Sequence, residues 1–126
     1  MHAKGVILSE FRNKRQYFLA FAGAPLPTPY AHDLSPDHSV CLHVAEMGVP
    51  LVIDNAYVHP LLHGHKAVSE LGVGSYFGVP VKLGEQTLVL CAFDDRKHIW
   101  DEDDRDHILG LARQLEADYS AGLPLH

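Results

Sequence analysis

The sequence predicts an α+β fold in which a central antiparallel β-sheet is covered by flanking helices. Two pairs of apolar, β-branched runs lie within 5–22 and 73–95, and a short polar turn joins each pair, which is typical of β-hairpins. Apolar residues at helical spacing appear between the two pairs and again near the end of the chain. Hairpins require antiparallel pairing, so we expect the helices to pack on an antiparallel sheet.

The first hairpin opens the chain. Residues 5–11 and 16–22 are its predicted strands, and the polar residues 12–15 are its turn. The following stretch, 23–37, contains four prolines and one glycine. Because proline removes a backbone donor, this stretch is predicted to be a surface loop.

A short helix is predicted over residues 39–48. Ser39 can cap its start, and Gly48 can end it in a left-handed conformation. Its predicted buried face consists of Val40, Val44 and Met47, with Cys41 beside them. A brief strand over 50–56 follows.

The second hairpin is preceded by one or two predicted helical turns over 65–72. Its strands are predicted over 73–83 and 87–95, and the turn 84–86 joins them. Pro80 lacks a donor, so we expect it at a bulge or where the ladder is interrupted. The run 87–95 is almost continuously apolar, which is typical of a central strand buried on both faces.

The last predicted helix has the clearest start. Asp101 and Asp104 have the spacing of a capping box, and the acidic first turn suits the positive end of a helix. The predicted apolar stripe consists of Ile108, Leu111, Ala112 and Leu115, and continues to about Tyr119. The tail 120–126 is expected to fray.

Composition limits the class of protein. The 126 residues are expected to form one domain, 1–126, with its own core. A net charge of −6 without a basic cluster argues against nucleic acid or an anionic membrane as the main partner. Cys41 and Cys91 are far apart in sequence, which favours reduced thiols. Without a predicted signal peptide or membrane span, we expect a cytoplasmic protein.

Three stretches carry an ordered set of motifs. They read SVCLHVAEMGVPLVIDNAYVHP (39–60), AVSELGVGSYFGVPVKL (67–83) and LVLCAFDDRKHIWDEDDRDHILGLARQLEAD (88–118). In this order they resemble the GAF domain, the small-molecule sensor module of signalling proteins. The resemblance covers nearly the whole chain and implies a GAF/PAS-like fold with a central antiparallel β-sheet and flanking helices.

The resemblance also implies a role in signal transduction. Family members usually begin with a long amphipathic helix, which this sequence is expected to lack because the predicted strand 5–11 begins almost at once. Such domains often pair through their terminal helices, so a homodimer is one expectation. No output domain is recognised in the sequence, which leaves a signalling protein in trans or a lost output domain as the expected partner.

The resemblance places a ligand pocket between one face of the sheet and residues 39–72. The candidate ligand-binding residues are His43, Tyr57, His63, Ser75, Tyr76 and Phe77. The last three alternate between the two faces of their strand, and the first three are expected to close the mouth of the pocket. For each aromatic residue, ordinary core packing is the alternative.

Residues 58–68, VHPLLHGHKAV, contain three of the ten histidines. They are His59, His63 and His65. A zinc site needs three or four ligands in fixed geometry, and structural sites favour cysteine. We therefore expect a polar loop at the lip of the pocket, without a metal. A haem, as in some members that the sequence resembles, would need His43, His59 or His63 as its axial ligand, and no feature singles one out.

Two further ligand classes known in the family fit poorly. Asp94 and Asp95 stand where the nucleotide-binding members have an Asn-Lys pair, and two carboxylates would not help to hold an anion. Trp100, Asp101 and Glu102 match the aromatic and acidic positions of those members, but helix capping explains them. A bilin would need an exposed cysteine, whereas both cysteines are expected to be buried.

Some GAF proteins resemble reductases of free methionine sulfoxide, which use a set of cysteines. This chain has two, Cys41 and Cys91, and a thiol buried in apolar surroundings has a raised pKa and is inert. Cys41 and His43 are two positions apart on a helix, so they do not face each other. No catalytic residue is predicted, and we expect that the chain is not an enzyme.

The leading hypothesis is a non-catalytic sensory or regulatory domain that binds a small molecule, whose identity the sequence leaves open. The alternative is a ligand-free protein-interaction or dimerisation module that uses the last helix as its contact surface. A haem-binding sensor and a cysteine-based reductase are the remaining alternatives.

Overall fold

The computed structural model describes residues 3–23 and 32–122. These residues form one six-stranded antiparallel sheet in the order β3-β2-β1-β6-β5-β4, with three α-helices and a 3₁₀ turn, which confirms the α+β fold. The strands are β1 Gly5–Arg12, β2 Arg15–Gly23, β3 Asp33–Leu34, β4 Leu51–Ile53, β5 Ser75–Leu83 and β6 Gln86–Asp94. The helices are α1 Cys41–Met47, α2 Lys66–Ser69 and α3 Glu102–Ser120, and the 3₁₀ turn is Pro36–His38.

The first hairpin turns at Asn13 and Lys14. Both residues are left-handed, with φ of 53° and 65°. Two left-handed residues in a row give a tight turn whose twist matches that of the flanking strands. The register shifts once, between Leu8 and Ser9, which is a β-bulge in this pair.

The second hairpin forms the centre of the sheet. β5 and β6 pair in unbroken register along their full length. β6 lies between β1 and β5, and its residues 88–93 are all buried, which confirms the predicted central strand. Pro80 sits in this ladder without a bulge. β4 pairs with β5 only over Tyr76–Gly78, so the ladder on the other side has already ended where proline lacks its donor.

Helix α3 covers one face of the sheet. Ile108 and Ala112 are buried there in a cluster with side chains of β5 and β6. Trp100, immediately before the helix, is fully buried and anchors the start of α3 to β4. Its indole N–H donates to the Ile53 carbonyl (3.1 Å), and its backbone N–H donates to Asp54 Oδ1 (3.1 Å).

Helix α1 covers the opposite face. The Ser39 hydroxyl accepts from the Leu42 N–H (3.0 Å), and Gly48 has a φ of 72°, so both predicted ends of this helix are confirmed. Cys41 and Val44 are its buried residues and join a second apolar cluster with β1, β5 and β6. The two clusters lie on opposite sides of the same sheet, because alternate residues of a strand point to opposite faces.

Three sequence expectations need correction. The stretch 23–37 is not a loop throughout, because β3 pairs with β2 and the 3₁₀ turn follows; residues 24–31 lie outside the described residues. Met47 is 50% exposed and Leu111 is 42% exposed. Each lies at the edge of an otherwise buried helical stripe, where the sheet no longer covers it.

Helix α3 ends at Ser120, and the predicted tail therefore begins at its last residue. Residues 123–126 lie outside the described residues. Within the described part of the chain, no helix combines the length and the apolar character needed to cross a membrane.

The capping box of α3 is confirmed and gives a test. Asp101 Oδ1 accepts from the Asp104 N–H (2.9 Å), and Asp104 Oδ2 accepts from the Asp101 N–H (3.2 Å). Asp101→Ala is expected to lower the free energy of unfolding by about 1 kcal/mol, because an N-terminal amide loses its acceptor. Urea unfolding measures this loss.

The matched control for this test is Asp103→Ala. It removes the same charge from the first turn without removing the cap, and is expected to cost about 0.3 kcal/mol. Equal losses in the two variants would show that charge, and not the cap, stabilises the start of α3.

Candidate functional site

A small apolar cavity lies between the sheet and the α1 side of the fold. Its volume is about 30 Å³. The sheet contributes Tyr76, Cys91 and Phe93, α1 contributes Cys41, and the segment that contains α2 contributes further walls. These further walls include Ala67, Leu71 and Val73. We call this space the thiol cavity. The cavity has room for about one water molecule.

Three polar side chains meet inside this apolar cavity. The Tyr76 hydroxyl donates to Cys41 Sγ (2.9 Å), and the thiols of Cys41 and Cys91 contact each other. The hydrogen bond with the Cys41 thiol and burial raise the pKa of Cys91 well above its usual value. Burial, and then the neighbouring thiols, raise the pKa of Tyr76 in the same direction. At neutral pH, Tyr76 and Cys91 are therefore uncharged.

Gly78 makes room for this arrangement. The Tyr76 side chain crosses over Gly78 on the same strand, and a Cβ at position 78 would collide with the Tyr76 hydroxyl. The hydroxyl can reach Cys41 only because position 78 has no side chain. Gly78 thus has a specific packing role.

A buried polar network borders the thiol cavity on the side of the first hairpin. Gln16 is 1% exposed and lines the cavity. Its Nε2 donates to Ser9 Oγ (2.8 Å), and its Oε1 accepts from Ser39 Oγ (2.6 Å). Since Ser39 also caps α1, the network ties the start of that helix to β1 and β2.

The histidine-rich stretch has a structural role that the sequence did not reveal. The Leu61 N–H donates to His59 Nδ1 (3.1 Å), and the Ala67 N–H donates to His65 Nδ1 (2.9 Å). In both cases the imidazole accepts from an amide two residues later, as an asparagine side chain does in turns and caps. His63 is exposed. The three side chains therefore do not point to one common centre.

His65 lies among other titratable side chains, most of which are histidines. Burial, followed by the charges of His43 and His38, lowers its pKa below 6.5, while Asp37 acts in the opposite direction. The His43 and His65 rings are 6.2 Å apart between centroids. In the part of the chain that the structure describes, no three His, Cys, Asp or Glu side chains are grouped so that they could hold a metal ion.

The family model for the GAF domain matches residues 6–118, which is most of the chain. This chain belongs to the GAF domain family. Among curated protein sequences, none matches it.

Solved structures similar to this GAF domain include both enzymes and sensors. A free methionine-R-sulfoxide reductase from Neisseria meningitidis, in complex with its substrate, has a TM-score of 0.70 at 23% identity, covering 94% of this chain and 68% of that one. The GAF domain of an Acinetobacter phosphoenolpyruvate-protein phosphotransferase has a TM-score of 0.68 at 18% identity, covering 95% and 72%. A far-red-absorbing dark state with bound biliverdin has a TM-score of 0.71 at 19% identity, covering 91% and 78%. These similarities show the shared fold.

The six candidate ligand residues do not come together in this GAF domain. Tyr76 lines the thiol cavity. Ser75 and Phe77 lie on the opposite face of β5, where Phe77 packs 6.3 Å from Trp100 between ring centroids. The buried Ser75 hydroxyl has no hydrogen-bond partner within the described residues.

The three residues expected at the mouth lie elsewhere on the surface. His43 lies beside a solvent-open hollow shared with Pro36, Asp37 and His65. Tyr57 is exposed, and its hydroxyl donates to the Asp95 carbonyl (2.9 Å). His63 is exposed on the loop before α2.

Sequence reasoning missed four residues that border the cavity together. They are Gln16, His38, Cys41 and Cys91. Cys41 and Cys91 are far apart in sequence, so no local spacing indicates that they meet. Gln16 carried a usable signal, because an amide inside an apolar strand needs buried partners.

The close contact over Gly78 gives a second test. Gly78→Ala is expected to lower the free energy of unfolding by about 1–3 kcal/mol, because the added methyl group displaces Tyr76 from a packed core. Gly110 in α3 is the matched control, since a Cβ there meets no atom within 4 Å. Gly110→Ala is expected to add about 0.5–1 kcal/mol. Urea unfolding that shows no loss for Gly78→Ala would contradict this account.

Proposed function

We propose that this GAF domain is a non-catalytic sensory or regulatory module that binds a small, uncharged molecule in the thiol cavity. The observation that carries the proposal is an apolar cavity between the core of the sheet and the covering segment around α2. Pockets for small molecules are mainly apolar with a few convergent polar groups, and this cavity has that composition.

The preference for an uncharged ligand follows from the walls. Among the described residues, no lysine, arginine, aspartate or glutamate lines the cavity. Tyr76 and Cys91 resist ionisation, and Tyr76 already bonds to Cys41. His38, the titratable base among the described walls, already pairs with Glu70 (3.1 Å). A charged ligand would therefore lose its hydration there without gaining an uncommitted ionic partner, which is costly.

The ligand would have to move part of the wall. A volume of about 30 Å³ is far below the several hundred that drug-sized ligands need. The short α2 segment is the wall most easily displaced, because an isolated helix of four residues is unstable by itself. Binding would then be coupled to movement of this segment, which gives a sensor a change to report.

Nucleotide and haem ligands suit this site less well. Asp95 lies outside the cavity, where it pairs with Lys4 (3.2 Å). The two adjacent carboxylates, Asp94 and Asp95, remain unfavourable for a phosphate. A haem would need many times the volume of the thiol cavity.

The reductase reading has one supporting observation, which is the contact between the two thiols. Both thiols are buried, and the raised pKa of Cys91 makes it a poor nucleophile, so we propose that Cys41 and Cys91 do not catalyse turnover. The assay is consumption of free methionine sulfoxide with a thiol reductant. Turnover that is lost in Cys41→Ser and in Cys91→Ser would replace the sensor proposal by the reductase.

The sensor proposal is tested by a thermal-shift screen of uncharged metabolites, with nucleotides and haem as comparison classes. A ligand at one hundred times its Kd is expected to add about 2.7 kcal/mol to the stability of the folded state. Ala67→Val should abolish this gain, because its extra methyl groups fill the cavity.

Ala112→Val is the matched control for the screen. Ala112 is equally buried but lies in the cluster on the opposite face of the sheet, so this variant should keep the ligand response. A screen without any stabilising compound, or a gain that survives Ala67→Val, would count against binding in the thiol cavity.

Helix α3 supports a second proposal, which is contact with a signalling partner in trans or with a second copy of the chain. Leu111 is 42% exposed and Tyr119 is 47% exposed on this helix. Leu111→Glu should weaken such contact without unfolding the chain, whereas Leu115→Glu should also destabilise the core that Leu115 packs against. Light scattering that shows a monomer in the unchanged protein would contradict the self-association form of this proposal.

A further inference from the structure

The side chain of His65 holds the start of α2. The Ala67 N–H donates to His65 Nδ1 at 2.9 Å. Because an amide nitrogen can only donate, Nδ1 must carry a lone pair, and the single ring proton must sit on Nε2. An imidazolium has protons on both nitrogens, so protonation of His65 replaces this hydrogen bond with two donors facing each other.

The element that His65 caps is a wall of the thiol cavity. Ala67 and Leu71 line the cavity and are buried. α2 has only four residues, and a single turn of helix is stabilised by its caps and side-chain packing more than by its own backbone bonds. The His65 cap is therefore one of the interactions that order this wall, together with the packing of Ala67 and Leu71.

The groups around His65 favour its neutral form. His43 faces it from α1 at 6.2 Å between ring centroids, and His38 acts on it from the 3₁₀ turn. Lys66 follows it in the chain and lies 3.9 Å from Asp37, whose charge acts in favour of the imidazolium. Outside this group, Glu70 of the same segment pairs with His38 (3.1 Å).

We propose that α2 is an acid-released cover of the thiol cavity, closed when His65 is neutral and opened when His65 takes up a proton. The cap is complete above about pH 6.5, the value for an unperturbed histidine. In the folded protein, burial and then His43 and His38 lower the pKa of His65. The cap is therefore lost as the pH falls through this lowered pKa. Acidification thus opens the cavity before it unfolds the sheet.

The test is hydrogen–deuterium exchange of the full chain at pH 7.5 and at pH 5.0, corrected for the intrinsic pH dependence of exchange. In the unchanged protein, amides of residues 67–72 are expected to lose protection by about fivefold or more on acidification, which is the worth of an ordinary N-cap. Amides of β6 should keep theirs. The ionisable pair His98–Asp104 lies beyond the opposite face, so a local readout separates its titration from that of His65.

Two variants at position 65 make the test specific. His65→Asn keeps a side-chain acceptor that does not titrate, and should keep the cover protected at both pH values. His65→Ala removes the acceptor and should leave the cover weakly protected at both. A pH-dependent loss in His65→Asn equal to that of the unchanged protein would overturn the proposal.

Two measurements keep the proposal testable even if these variants fold poorly. Ring ¹⁵N shifts of the unchanged protein should show the Nε2–H tautomer for His65 at pH 7.5, and an Nδ1–H tautomer would overturn it. His43→Gln removes a repelling neighbour, so the opening should move to higher pH. An unmoved or lowered midpoint would contradict the role assigned to His43.

This inference rests on the proposed function in one respect, which is that opening of the cover would give a ligand access to the cavity. The exchange experiment uses no ligand, so the cover can be shown to open even if no compound binds. Conversely, a ligand that binds equally at both pH values, with unchanged exchange of residues 67–72, would support the sensor and reject the cover.

Discussion

The nine-residue pairing of β5 with β6 is the interaction on which the rest of this GAF domain depends. Most of its residues are buried, so their side chains belong to one of two separate cores. Phe77 faces α3 and Trp100, whereas its neighbour Tyr76 faces α1 and the thiol cavity. A shift of one residue in this pairing would exchange the two sets and place aromatic side chains in the wrong core.

The thiol cavity is unusual in that its polar groups already satisfy one another. The Tyr76 hydroxyl bonds to Cys41, and Gln16 bonds to two serines. Such a site has few free groups for hydrogen bonds to a ligand. Its selectivity would therefore depend on shape and apolar contact. The same self-satisfaction allows the cavity to stay nearly closed when it is empty, since no buried donor or acceptor there depends on a ligand.

The elements that the sequence predicted correctly are those set by local rules. The hairpins, the Ser39 and Asp101 caps and the end of α1 at Gly48 each depend on a few neighbouring residues. The candidate site was harder to predict from the sequence, because the contact between Cys41 and Cys91 joins helix α1 to strand β6 and forms only when the chain is folded. The alternation of side chains along a strand predicts that Tyr76 lies on the opposite face from Ser75 and Phe77, but it does not determine which face borders the cavity. The spacing of His59, His63 and His65 argues against a metal site. It does not reveal the hydrogen bonds that His59 and His65 accept from the backbone, because these depend on turn conformations.

The network of Gln16, Ser9 and Ser39 has a consequence for how this family member can change over evolutionary time. Each of the three side chains is fully buried, and Gln16 bonds to both serines. Losing one partner leaves the others unpaired inside the core, whereas exchanging all three for apolar residues of similar shape leaves only the Leu42 N–H, which Ser39 caps, without its acceptor. The effects of single changes are therefore strongly non-additive. These three positions should vary together among close relatives, so that their covariation would record this network in sequences alone.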